Sequence, residues 1–154
     1  MNKIFNIVGF QASWWGCVLG VKAGMIYLGP ILMLIFLAIH VVRILDKYAE
    51  LKLIILFGFI GTLIDTSMAY FGILTYNGTY FPDTNIAPLW ITSMWCGFSA
   101  TVNHSLAWLH NRYAASAILG IISGPLSYLA GVKFGAIEFD VAPITAIAII
   151  SIYY

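Results

Sequence analysis

The chain has 154 residues; charged residues make up 8% of it and hydrophobic residues 62%. A soluble domain carries about 25% charged residues, and so few charges cannot cover the surface of a small water-soluble protein. The net charge of +1 also gives no electrostatic footprint for nucleic acid. The composition therefore argues against a soluble enzyme, a nucleic-acid-binding protein or a disordered chain. It predicts a polytopic membrane protein surrounded by membrane lipids.

Six apolar segments are candidates for membrane-spanning helices, which need about 20 mostly apolar residues at about 1.5 Å rise each. In chain order they cover about residues 4–21, 25–42, 53–75, 88–109, 114–134 and 139–154. Polar connections separate them, the largest being the charged segment 43–52 and the turn-rich segment 77–87. The sequence thus predicts a single all-α bundle of six transmembrane helices.

Lysine and arginine residues are distributed unequally between the two ends of these helices. With a cytoplasmic N-terminus, Lys22 and Lys133 lie on the outer side. The cytoplasmic side then holds Lys3, Arg43, Lys47, Lys52 and Arg112. Because cytoplasmic loops carry an excess of basic residues, we predict that both termini are cytoplasmic.

Asp65 is the charged residue that falls inside the apolar part of a predicted helix. It lies about 18 Å from the start of helix three and so near the expected midplane. An ionised carboxylate there is costly unless it is paired, hydrogen-bonded or hydrated. Two interpretations stay open: a proton carrier, ion ligand or general base, or a hydrogen-bond node between helices. Gly58, Gly61, Ala69 and Gly72 share its face, which lets another helix approach closely.

Other polar residues are expected in a layer with Asp65, between the midplane and the cytoplasmic side. They are Gln11, His40, Asn103 and His104, with Ser105 beside them on helix four. Aromatic residues are expected to line a pocket around this polar centre. Many aromatic side chains around few polar groups are typical of pockets that bind apolar molecules. These residues are Trp14, Trp95, Trp108 and Tyr128.

No metal and no cofactor is expected, because the three histidines lack metal-binding spacing and no phosphate-binding loop is present. No catalytic motif indicates an enzyme. The outer boundary carries a rim of charged residues: Lys22, Asp83, Lys133, Glu138 and Asp140. Its lysine pair, Lys22 and Lys133, is a candidate for binding a lipid phosphate.

Several ordered motifs lie in helices three to five: GTLID at 61–65, NHSLAWL at 103–109 and GPLSYLAG at 124–131. With Gln11 and Trp14 in helix one, the chain resembles the bacterial domain-of-unknown-function family 2878. These are small multi-helix inner-membrane proteins without an established activity. The resemblance suggests association with fatty-acid-modifying genes and hence a lipid-related role, without naming a catalytic residue.

Three functions stay open. The first is binding or processing of a lipid or other apolar molecule in a pocket around Asp65. The second is a small transporter or proton-coupled carrier that uses Asp65 and His104 as titrating groups and could form a homo-oligomer. The third is a structural or assembly role, in which the polar groups only hold helices together.

Overall fold

The computed structural model describes residues 3–81 and 84–154, which are almost entirely helical. The α-helices are α1 (Lys3–Lys22), α2 (Leu28–Val42), α3 (Lys47–Tyr70), α4 (Leu89–Val102), α5 (Tyr113–Lys133) and α6 (Pro143–Tyr153). A short 3-10 helix covers Ala107–Leu109, and two strands, β1 (Leu74–Tyr76) and β2 (Ile137–Phe139), pair antiparallel. The helical bundle was predicted from the sequence, whereas the small sheet is a departure from the all-α prediction.

Three of the helices, α1, α3 and α5, are long and apolar enough to cross a membrane. The helices α2 and α6 are also apolar but have only 15 and 11 residues. The helix α4 has 14 residues and is about 21 Å long, less than the roughly 30 Å hydrocarbon core. Large hydrophobic side chains are exposed along the helices, including Ile4, Leu34 and Ile55, as expected for a membrane protein.

The helix α3 extends further towards the N-terminus than predicted and ends earlier. It begins at Lys47 rather than near residue 53 because the Asp46 side chain caps it by accepting a hydrogen bond from the Ala49 N–H at 3.0 Å. It ends at Tyr70 rather than near residue 75. There Gly72 adopts φ +64°, and the Ile73 N–H bonds back to the Met68 carbonyl.

The C-terminal end of α5 uses the same kind of cap. Gly135 adopts φ +75°, and the Ala136 N–H donates to the Gly131 carbonyl at 2.9 Å. Each of the two caps turns the chain directly into a strand, and the strands pair in the register Leu74↔Phe139, Thr75↔Glu138 and Tyr76↔Ile137. Because residues 137–139 belong to β2, α6 starts at Pro143 and not at residue 139.

The helix α4 also ends earlier than predicted, at Val102 instead of residue 109. Beyond it, the Ser105 hydroxyl donates at 2.6 Å to the Asn6 side chain of α1, and Asn6 donates at 2.9 Å to the Ala100 carbonyl. Polar side chains that bond to other groups compete with helix continuation. This buried pair therefore fixes the end of α4 against the start of α1.

Packing centres on α4, which contacts α1, α2 and α3, while α1 also packs on α2. The helices α5 and α6 pack on each other, and α5 contacts β2. The larger hydrophobic core lies towards the sheet and includes Met68, Leu74 and Trp90. A smaller one, Met33, Phe36 and Ala100, lies nearer the opposite end of the bundle. Each core adjoins one buried carboxylate of α3.

Candidate functional site

Asp65 is completely buried, but it does not lie midway along its helix. It is about 27 Å from Lys47 and only about 8 Å from Tyr70, where α3 ends. The expected midplane position depended on a helix covering residues 53–75, and both ends of α3 differ from that range. Asp65 therefore lies at the level where the two-stranded sheet covers the bundle.

Three donors from three different elements surround the Asp65 carboxylate. Its Oδ1 atom accepts hydrogen bonds from the hydroxyls of Tyr76 in β1 and Tyr128 in α5. Its Oδ2 atom accepts one from the Trp95 indole N–H of α4 at 2.6 Å. Within residues 3–81 and 84–154, no lysine or arginine forms a salt bridge with it. Both oxygens are satisfied by neutral donors, an arrangement that suits a buried carboxylate.

The local sequence explains why Trp95 reaches Asp65. Gly61 lies one helical turn before Asp65, and a Cβ atom there would overlap the indole ring of Trp95. On its other side, Trp95 stacks on Tyr154 with ring centroids 5.4 Å apart. The Tyr154 hydroxyl lies 3.3 Å from that of Tyr128. We call these five side chains, Asp65, Tyr76, Trp95, Tyr128 and Tyr154, the outer cluster.

A second buried carboxylate, Glu50, lies in the first turn of the same helix and contacts two histidines. Its Oε1 atom is 2.7 Å from Nε2 of His40 at the end of α2 and 3.4 Å from Nε2 of His104 after α4. His40 is fully buried, and the two imidazole centroids are 4.8 Å apart. We call these three residues the inner cluster. Along α3 it lies about 22 Å from Asp65.

Burial and the neighbouring carboxylate act in opposite directions on the His104 imidazole. Burial lowers the pKa of the His104 side chain, and the Glu50 carboxylate opposes this effect. In the described part of the chain, no lysine or arginine forms a salt bridge with Glu50. The side chains that face one another in the inner cluster are therefore those of Glu50, His40 and His104.

The structure brings together only some of the residues expected around Asp65. Trp95 and Tyr128 contact it directly, whereas His104 belongs to the inner cluster and Ser105 bonds to Asn6. The other expected residues lie elsewhere. Gln11, Asn103 and Trp108 are exposed, and Trp14 is half-buried against Trp15.

Three residues of the two clusters were missed as site residues. Tyr76 lies between the predicted helix 53–75 and the turn-rich segment 77–87, and Tyr154 is the last residue of the predicted helix 139–154. Glu50 was assigned to a polar connection, although it continues the buried face Glu50, Ile54, Gly58, Gly61, Asp65 towards the N-terminus. That three- and four-residue spacing is the signal that could have located it.

An apolar groove of about 210 Å³ lies between α1 and α2. Its lining is Phe5, Gly9, Ala12, Ser13, Leu32, Ile35, Phe36 and Ile39. At one end, the exposed Arg43 guanidinium lies 4.5 Å from the centroid of the Phe5 ring. A second cavity of about 30 Å³ is lined by Tyr76, Thr75 and Ala69, among others. Asp65 lines neither of them.

The expected outer-rim residues have distinct surroundings. The Lys22 ammonium lies 5.6 Å from the centroid of the Phe134 ring, and Lys133 is exposed. The two acids hold the sheet: Asp140 accepts from the Thr75 hydroxyl at 2.8 Å, and Glu138 accepts from Asn77 at 3.2 Å. Asp83, also expected there, lies outside the described residues.

The model of the family described as "Protein of unknown function (DUF2878)" matches residues 3–153. This match confirms the resemblance found in the motifs of helices one to five. No curated protein and no solved structure matches the chain.

Proposed function

The chain belongs to the DUF2878 family, and we propose that it binds a phospholipid of the cytoplasmic leaflet of a bacterial inner membrane. In this proposal the six helices cross or enter the bilayer and both termini are cytoplasmic. An acyl chain occupies the groove between α1 and α2, and the lipid phosphate binds Arg43. The observation that carries the proposal is the apolar groove with a stacked arginine at its end.

The shape of the groove supports an acyl chain as its occupant. From Phe5 to Ser13 it follows α1 for about 12 Å, and its lining is apolar apart from one hydroxyl. That hydroxyl, of Ser13, already donates to the Gly9 carbonyl at 2.8 Å, so it offers little to a polar ligand. Exposed Ile31 and Leu34 also lie on α2, which suits a surface that faces lipid.

The charges at the end of the groove support a phosphate. Arg43 is exposed and stacked on Phe5, which orients its guanidinium while leaving its N–H groups free to approach an anion. Lys3, Lys47 and Lys52 belong to the same predicted cytoplasmic side, where anionic headgroups attract basic residues.

Lipid that remains bound after purification in mild detergent tests this function. Ala12→Trp fills the groove and should lower the recovery of bound phospholipid of every class, measured by mass spectrometry. Arg43→Gln should lower the recovery of anionic phospholipid more than that of neutral phospholipid. The matched controls are Ala148→Trp, at an exposed alanine of α6, and Arg112→Gln, at an arginine 6.0 Å from the Trp108 ring. Equal lipid recovery from all four variants and the unmodified chain would refute the proposal.

A structural role for Asp65 is favoured by its three donors, which join α3 to α4, α5 and β1. The alternative is a proton-coupled carrier in which Asp65 and His104 exchange protons as one pair. The structure favours it less, because His104 contacts Glu50, about 22 Å from Asp65 along α3. In our proposal the outer cluster holds the bundle together, and the lipid binds at the groove.

A further inference from the structure

The inner cluster contains three potential metal ligands on three different segments. One ligand atom each from His40, Glu50 and His104 can be chosen so that all lie within 4.8 Å of one another. The cluster is enclosed: His40 is fully buried and the Glu50 side chain is 6% exposed. Imidazole nitrogens and a carboxylate oxygen are the ligands that zinc and related divalent transition metals accept.

A buried nitrogen of the inner cluster has no hydrogen-bond partner, which indicates that a ligand is missing. The Nε2 atom of His104 is buried and has no hydrogen-bond partner, although the Glu50 oxygen is only 3.4 Å away. Buried polar atoms are nearly always satisfied, so an orphaned imidazole nitrogen beside a carboxylate calls for a ligand. A metal ion bound by that nitrogen and the carboxylate would satisfy both.

The two distances from the Glu50 carboxylate can be compared with the ligand spacing of a tetrahedral site. Bond lengths of about 2.0–2.1 Å place neighbouring ligand atoms about 3.3 Å apart. The 3.4 Å between His104 and Glu50 matches this value, whereas the 2.7 Å between His40 and Glu50 is a hydrogen bond that would lengthen. The ligand atoms of His40 and His104 lie within 4.8 Å of each other and would approach by up to about 1.5 Å, through side-chain changes of the kind that are common on binding.

We propose that His40, Glu50 and His104 bind one divalent transition metal ion of the Zn²⁺ class. Three protein ligands leave the fourth position open to water or to a ligand oxygen, as in catalytic rather than purely structural zinc sites. His104 is the more accessible histidine, with its side chain 18% exposed, so it lies on the entry side. The proposal goes beyond lipid binding and does not depend on it.

The test uses the full chain, purified in detergent without a histidine tag and stripped with a chelator. We titrate it with Zn²⁺ and measure bound zinc by elemental analysis after desalting and the affinity by calorimetry. The expected result is one Zn²⁺ per chain. Loss of a residue that only hydrogen-bonds to a metal ligand weakens metal binding about 10- to 100-fold. Because Glu50 and His104 would bind the metal directly, Glu50→Gln and His104→Ala should each weaken zinc binding by more than that. His110→Ala, at an exposed histidine outside the cluster, should leave binding unchanged.

Titration with Co²⁺ adds a readout that surface binding would not give. In a tetrahedral site, Co²⁺ shows strong visible d–d absorption, which His104→Ala should reduce and His110→Ala should preserve. The His104 side chain is more exposed than that of Glu50, so we expect His104→Ala to disturb the fold less than Glu50→Gln does. Circular dichroism checks the fold of both variants. No zinc bound at micromolar concentration would overturn the proposal, as would equal affinity in the unmodified chain and the His104→Ala variant.

Discussion

The outer and inner clusters each surround a buried carboxylate on the same face of α3, but with opposite chemistry. Asp65 accepts hydrogen bonds from two phenols and one indole, and the donor hydrogen of each of these groups is therefore paired. Glu50 faces two imidazoles, and one nitrogen of each, His40 Nδ1 and His104 Nε2, has no partner. One carboxylate is surrounded by groups that satisfy it, and the other by groups that can themselves ligate.

This difference separates a structural carboxylate from a candidate ligand site. Removing a group from a fully satisfied network leaves its partners unpaired and costs stability. Removing a group from an unsatisfied cluster costs less stability but abolishes the binding of any ligand that the cluster holds. Burial alone does not distinguish the two, since Asp65 is 0% and Glu50 5% exposed. The chemical types of the neighbouring side chains distinguish the structural carboxylate from the candidate ligand site.

The largest expected effect is that of Asp65→Ala. It leaves the Tyr76 hydroxyl and the Trp95 indole N–H without an acceptor, whereas the Tyr128 hydroxyl can still donate to that of Tyr154. At about 1–3 kcal/mol for each of the two unpaired donors, we expect a loss of about 2–6 kcal/mol in unfolding free energy. Glu50→Gln keeps an acceptor for His40 and should lose less than about 1 kcal/mol in the absence of metal. Unfolding of the detergent-solubilised variants by denaturing detergent measures both. Equal losses would contradict the distinction between the clusters.

A smaller effect is expected for Gly61→Ala. Its Cβ atom would displace the Trp95 indole and lengthen the bond from that indole to Asp65, so we expect a loss of about 1–3 kcal/mol. Gly58→Ala, on the same face of α3, meets the Cys96 sulfur at 2.5 Å and the Thr92 methyl group at an ordinary contact distance of 3.9 Å, and it should cost less. The same unfolding assay compares the two, and the reverse order would show that Trp95 is not held by Gly61.

The smallest effect is expected for Gln11→Ala, at a residue predicted from the sequence to belong to the polar layer. Because Gln11 is exposed, the substitution should change the unfolding free energy by no more than about 0.5 kcal/mol. It should also leave zinc binding unchanged. A loss comparable to that of Gly61→Ala would restore Gln11 to the site.

The sequence predicted what depends on local composition and helical spacing. The helical bundle follows from such patterns, as does the expectation that another helix approaches the Gly61 face closely. Trp95 and Tyr128 were expected only as part of a pocket lining around Asp65, and their hydrogen bonds to its carboxylate were not predicted. Tyr76 could not be placed in this way, because it lies in a strand whose pairing partner is 60 residues away along the chain, and helical spacing does not predict that strand. Glu50 was missed because its charged neighbours, Lys47 and Lys52, resemble a loop, although the periodicity of α3 includes it.

The most direct test of the distinction is the change in melting temperature on adding Zn²⁺, measured in detergent for the unmodified chain, Tyr76→Phe and Glu50→Gln. A ligand that binds only the folded state raises the melting temperature. We predict that Zn²⁺ stabilises the unmodified chain and, from a lower starting temperature, Tyr76→Phe by a similar amount, but not Glu50→Gln. Equal stabilisation of Glu50→Gln, or loss of it in Tyr76→Phe, would contradict the assignment of ligand binding to the inner cluster and of structural support to the outer one.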